Sequence, residues 1–195
     1  MSSCRQHLLT TTPGVPLLIR GLTQLAHNLE KAEEWAKENN VPTEQLVNAR
    51  LIDTMQPLKF QVQFASNSAK AVLHRVAGHE WVTMEDNETT MDQLKDRVAR
   101  TLKVLRDAEG KQADFEGKEQ IEVTVPIPGR DAFKFTGAVY ISYWVVPNFF
   151  FHITTAYDIL RKEGMYSSAS SSDGWVYADR HAGVPLGKPD FLGMP

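Results

Sequence analysis

The chain has 195 residues, 42% hydrophobic and 23% charged, enough apolar material for one compact core, and it reads as a single domain over 1–195. Lys and Arg total 21 against 24 Asp and Glu, a net charge of -3, which excludes the broad cationic surface of a nonspecific nucleic-acid binder. One cysteine, Cys4, excludes an internal disulfide or a cysteine-based zinc site and points to a reducing, cytoplasmic setting.

Near the start, the apolar stretch Val15 to Ile19 is broken by Pro13, Gly14 and Pro16, too soon for a secretory signal. Leu18, Leu22, Leu25, Leu29, Ala32 and Ala36 then step by fours and threes, which predicts one face of a helix starting near Pro16 and ending at Asn39 and Asn40. A short helix is expected from Thr43, as its N-cap, to about Arg50. Leu58, Val62, Ala65, Ala69, Val72 and Val76 repeat the spacing before Gly78, giving a second long helix. Thr90 and Gln93 form a capping box ahead of the third stripe, Met91, Leu94, Val98, Leu102 and Leu105, which ends before Gly110.

Between Gln120 and Gly137 the period falls to two: Ile121, Val123 and Val125 alternate with Glu122 and Thr124, and Phe133 and Phe135 flank Lys134 past a turn with Pro126, Pro128 and Gly129, which predicts a small β-hairpin. The last long helix is expected from about Ala138 to Lys162, kinked at Pro147. Beyond it, 165–182 reads as a flexible insertion and 183–195 as a tail that can dock through Phe191 and Leu192. Together the elements predict an all-α fold, an antiparallel four-helix bundle with a small β-hairpin before the last long helix. Charged positions such as Glu30, Glu33, Glu34, Arg97 and Arg100 read as solvated faces.

From Phe135 to Tyr157 there is no Asp, Glu, Lys or Arg. Asn148 and His152 interrupt the run and would be costly against lipid, so a buried helix is expected and no membrane span. The seam of this helix reads Ile141, Val145, Asn148, His152, Thr155 and Ile159. A separation of four stacks Asn148 and His152 on one face, where they can converge on a ligand, metal or water, and imidazole suits proton transfer near neutrality. Pro147 leaves the Tyr143 carbonyl without its usual partner, a gap that water or Asn148 can occupy. On the second long helix Gln61 is placed to face His152 across the bundle. Asp53 reads as a cap before Pro57, while Tyr157 and Asp158 lie past His152 at a candidate pocket mouth or simply begin the polar end of the helix. His7, His27, His74, His79 and His181 read as exposed or irregular positions. The chain has no dinucleotide fingerprint, Walker loop, nucleophile elbow or zincin motif.

The run VPNFFFHITTAYDILRKEG, with NARLIDTMQPLKFQVQFA, EDNETTMDQL, FTG and LGKPDFLG, resembles domain-of-unknown-function family nineteen-ninety-three, related to DinB-like bundles. The resemblance extends over most of Leu18 to Gly193 and implies a four-helix DinB-like fold without an established activity. In the wider superfamily, metal-dependent thiol transferases and a maleylpyruvate isomerase hold a divalent metal with three histidines. Here only His152 matches, Asn148 stands at the other position of the last-helix pair, and Gln61 is the candidate for the third place. No cofactor is therefore predicted, and any metal would rest on His152. Met165 to Ala182 departs from the family pattern as an insert, read as a disordered loop.

Three functions remain open. One is an isomerase, lyase or transferase acting on a small molecule, with His152 as acid or base, Asn148 and Gln61 orienting substrate or water, and Tyr157 nearby. A second is a noncatalytic ligand-binding or homodimeric bundle using Tyr140, Tyr143, Trp144 and Phe149 to Phe151. The third is metal-dependent transfer to a thiol.

Overall fold

The computed structural model of the protein describes residues 14–109 and 111–165, with Gln112 and Ala113 as backbone only. The chain divides into two units, Met1–Met165 and Tyr166–Pro195. The second unit lies outside the described residues, together with Cys4, His7, Gly110, the expected insertion past Met165 and the expected tail.

The described chain is mostly helical with one small hairpin. Its elements are α1 (Gly14–Glu38), α2 (Thr43–Asn48), α3 (Leu58–Arg75), α4 (Met91–Glu109), a 3-10 turn (Gln112–Phe115), β1 (Glu122–Ile127), β2 (Arg130–Thr136), α5 (Gly137–Val139), a π-helical segment (Tyr140–Val145) and α6 (Val146–Lys162). Helix α1 packs on α4 and α6, and α3 packs on the same two, so the four long helices close a ring. The stripes read from the sequence are its interior: Leu18, Leu22, Leu25, Leu29, Leu58, Val62, Val72, Leu94, Val98 and Leu105 are fully buried. Each such leucine stabilises the fold by about 1.5–3 kcal/mol.

Local signals set the ends. Asn40 adopts a left-handed φ of 55°, and the amides of Asn40 and Val41 return to the carbonyls of Lys37 and Ala36, the closing pattern of a Schellman motif. Gly164, at φ 104°, closes α6 the same way, with Gly164 bonded to Arg161 and Met165 to Leu160. The capping box forms as expected: the Thr90 amide donates to Gln93 Oε1 and the Gln93 amide to Thr90 Oγ1. Two other caps differ. Thr43 is already inside α2, which follows Pro42, and α3 follows Pro57 with no side-chain cap, so Asp53 is an exposed loop residue rather than a cap. A proline with extended backbone dihedrals sets both entry angles, and the caps the side chains would have offered are not used.

The hairpin pairs Val123 with Phe135 and Val125 with Phe133, turning at Gly129 with φ 73°. It feeds directly into the last helix. Gly137 donates to Ile121 O and Ala138 to Glu119 O, Thr136 accepts from the Val139 amide, and a Cβ at Gly137 would overlap the Lys118 carbonyl. Before Pro147 the helix widens to π spacing over Tyr140–Val145, and Val146 bonds to Ile141 five residues back. A proline cannot donate to the ladder and crowds the carbonyl four residues back; the wider turn is where that conflict is absorbed. Among the described residues no helix is long and apolar enough to cross a membrane.

Candidate functional site

Two of the polar groups buried among the described residues lie on different sides of α3. The first joins α3 to α6. His152 Nδ1 lies 2.6 Å from Gln61 Oε1, and the other end of the same amide donates from Nε2 to Gln56 O at 2.9 Å. That chain of bonds fixes the imidazole tautomer. The Gln56 carbonyl can only accept, so the Gln61 amide nitrogen faces it and its oxygen faces His152; an amide oxygen can only accept, so Nδ1 carries the proton. The lone pair is then on Nε2. Nε2 makes no hydrogen bond among the described residues, and His152 as a whole keeps 8% of its surface exposed.

Around the ring stand three phenylalanines, with centroids 4.1 Å away for Phe64, 5.1 Å for Phe151 and 6.0 Å for Phe60. Desolvation in this setting pushes the imidazole pKa down to about 4, because charging it without a countercharge is costly. At neutral pH His152 is an uncharged acceptor.

The structure thus joins Gln61 and His152, as their facing positions predict. It does not add the other two candidates to their hydrogen bonds. Asn148 is half-buried and donates to its own helix at Trp144 O, 2.6 Å away, one residue on from the Tyr143 carbonyl expected from the sequence. Tyr157 lies further along α6, 5.9 Å from the Arg161 guanidinium by its ring centroid. The aromatic group of the last helix is also divided: Tyr140 is buried and accepts from Arg75, Trp144 packs on Phe133 and Phe135, and Phe149 is buried against Gly21. Tyr143 and Phe151 are exposed.

The second polar group joins α3, α4 and the loop between them. Arg97, expected on a solvated face, is only 1% exposed. Its guanidinium reaches Glu88 Oε1 and Asp86 Oδ1, both at 2.6 Å, as well as Asn67 Oδ1 and Glu85 O. Gln63 takes the other Glu88 oxygen. Burial raises the Glu88 pKa, but hydrogen bonds from Arg97 and Gln63 outweigh it and hold the carboxyl below its usual range. Lys70, buried beside them, donates to Val82 O and sits 4.9 Å from the Trp81 ring centroid; desolvation, reinforced by Arg97, lowers its pKa to about 8. Helical periodicity offered no sign of this cluster, because the loop supplies the partners. The Asp and Glu of EDNETTMDQL were its one sequence trace.

A polar surface cleft of about 540 Å³ lies elsewhere, bordered by Glu44, Arg50, Asp53, Lys162 and Glu163. Its groups engage each other, Lys162 with Arg50 O and Glu163, and Gln45 with Glu163.

A three-histidine metal centre does not fit these residues. His152 is the one imidazole on the α3 and α6 seam, the Gln61 oxygen is spent on it, and Asn148 is turned to the backbone. Among the described residues no three His, Cys, Asp or Glu side chains converge.

Comparison with known proteins agrees with the fold. The sequence pattern of the family described as "Domain of unknown function (DUF1993)" matches residues 12–166, stopping before LGKPDFLG. No curated protein matches the chain. Among solved structures it is similar to a crystal structure of a DinB family member protein from Shewanella denitrificans, with 30% identity and a TM-score of 0.74 over 88% of this chain and 93% of that one.

Proposed function

We propose, from the premise that this chain belongs to the DUF1993 family and shares the DinB-like fold, that it binds and acts on a small organic molecule at the α3 and α6 seam without a bound metal. On this reading the ring of α1, α4, α3 and α6 is the antiparallel four-helix bundle of DinB-like proteins, in a cytoplasmic setting. The observation that carries it is the chain from Gln56 O through Gln61 to His152, which fixes the proton on Nδ1 of an imidazole that desolvation keeps neutral and leaves Nε2 as the acceptor. Such a group accepts a hydrogen bond from a substrate donor, the first requirement of a base and the means of orienting that donor. Gln61 acts through His152 as a positioning residue: its amide oxygen accepts from Nδ1 and sets the tautomer and the orientation of the ring.

A thermal-shift screen of small organic molecules tests this. Wild type is expected to give hits whose stabilisation vanishes in His152→Phe, which keeps an aromatic ring beside Phe64. Identical responses from both proteins to every compound would sink the proposal. Noncatalytic self-association is a second reading, favoured by one observation: Val139, Tyr143, Pro147 and Phe151, spaced by four, are all exposed. Light scattering that shows a strict monomer at high concentration would remove it.

A further inference from the structure

We infer that the His152 site takes an uncharged aromatic molecule carrying one hydroxyl or N–H donor, with a phenol as the simplest case. The inference rests on the reading of Nε2 as an open acceptor. Three features of the surroundings of His152 narrow the chemistry. Nε2 can only accept from the ligand, since the ring proton is on Nδ1 and held by Gln61. The surrounding surface is aromatic: Phe64 and Phe60 are half-buried, Phe151 is 54% exposed, and all three rings lie within 6.0 Å of the imidazole by centroid. Faces and edges of this kind take another ring in stacked or T-shaped contact.

Charge decides the remainder. Desolvation is the whole cause of the shift at His152, with no charged group contributing, so neither a cation nor an anion bound there would meet a countercharge. The buried cationic side chains of α3 and α4 are committed elsewhere, Arg97 to Glu88 and Asp86 and Lys70 to Val82 O. An ionised carboxylate or thiolate would therefore be desolvated without repayment, and its lone pairs would face that of Nε2. A neutral phenol loses little on leaving water and satisfies the one open acceptor.

Phenol, anisole and benzoate are the probes, titrated at pH 7 into protein with ¹⁵N-labelled histidine and read by long-range proton to nitrogen correlation. Phenol is expected to shift the Nε2 resonance of His152. Anisole, of the same shape without the donor, should bind at least tenfold more weakly, and benzoate should leave the resonance unmoved. Phe151→Ala, at an exposed position that the fold does not need, should weaken phenol at least threefold. Benzoate or anisole binding as tightly as phenol would overturn the assignment, and so would a resonance that no probe moves. The same spectra keep the two proposals apart. An Nε2–H tautomer in the free protein removes the site itself, whereas an Nδ1–H tautomer with no phenol response removes only the ligand class.

Discussion

The Arg97 cluster and the Gln61 and His152 pair are both buried, polar and anchored on α3, yet they end differently. Around Arg97, cations and carboxylates answer each other: two carboxylates, an amide and a carbonyl meet one guanidinium, and Gln63 completes Glu88. At His152 a single neutral bond holds one side of the ring and the other side is left open. The charge-paired network, in which Arg97 Nε alone of the guanidinium nitrogens is enclosed without a hydrogen bond, fixes the position of a loop. The neutral pair leaves Nε2 of the imidazole without a partner among the described residues.

The largest expected effect breaks the charge-paired side. Arg97→Ala leaves Glu88 buried without its partner and should cost about 3–5 kcal/mol in urea unfolding. A loss under 1 kcal/mol would mean that the cluster is wetter than its burial implies.

Acid sharpens the contrast by placing the two losses in different pH windows. The His152 pKa falls from 6.5 to about 4 on folding, so the unfolded chain binds the extra proton between those values. Stability is then full above pH 6.5 and declines toward pH 4, by up to ~3 kcal/mol. Glu88, held below 4.5, stabilises above that value, and its share is lost only as pH falls through its lowered pKa. Unfolding measured against pH should show the upper window flattened in His152→Phe and the lower one retained; an unchanged upper slope would contradict the neutral imidazole.

Removing the link between α3 and α6 tests the open side. Gln61→Leu strands Nδ1–H and should cost about 1–3 kcal/mol, while nitrogen spectra show a mixture of tautomers in place of one. If the single tautomer survives, Gln61 does not set it. The smallest effect is a control on the loop that carries Asp86 and Glu88: Thr90→Ala loses the capping box for about 1 kcal/mol by thermal unfolding, with the His152 resonances unmoved.

Much of this was legible without a structure. The stripes Leu18 to Ala36, Leu58 to Val76 and Met91 to Leu105 became core faces, and the alternation around Val123 and Val125 became a hairpin, because helical and strand periods are local properties. Gln61 and His152 were singled out as polar residues at apolar positions. Arg97 was misread, since a charge on a helix defaults to solvent unless a distant carboxylate meets it, and Asp53 was misread because Pro57 sets the start of α3 without it.

The sequence by itself determined the helices, their ends near Asn40 and Gly78, the hairpin and the polar interruption of the last seam, all through contacts a few residues apart. Only the tertiary structure decided what the interruptions do. Gln61 and His152 are 91 residues apart, and the loop that neutralises Arg97 belongs to neither helix it clamps. A tautomer, a depressed pKa and a paired charge depend on the groups that fill the space around a side chain, and packing brings those groups together from distant parts of the chain.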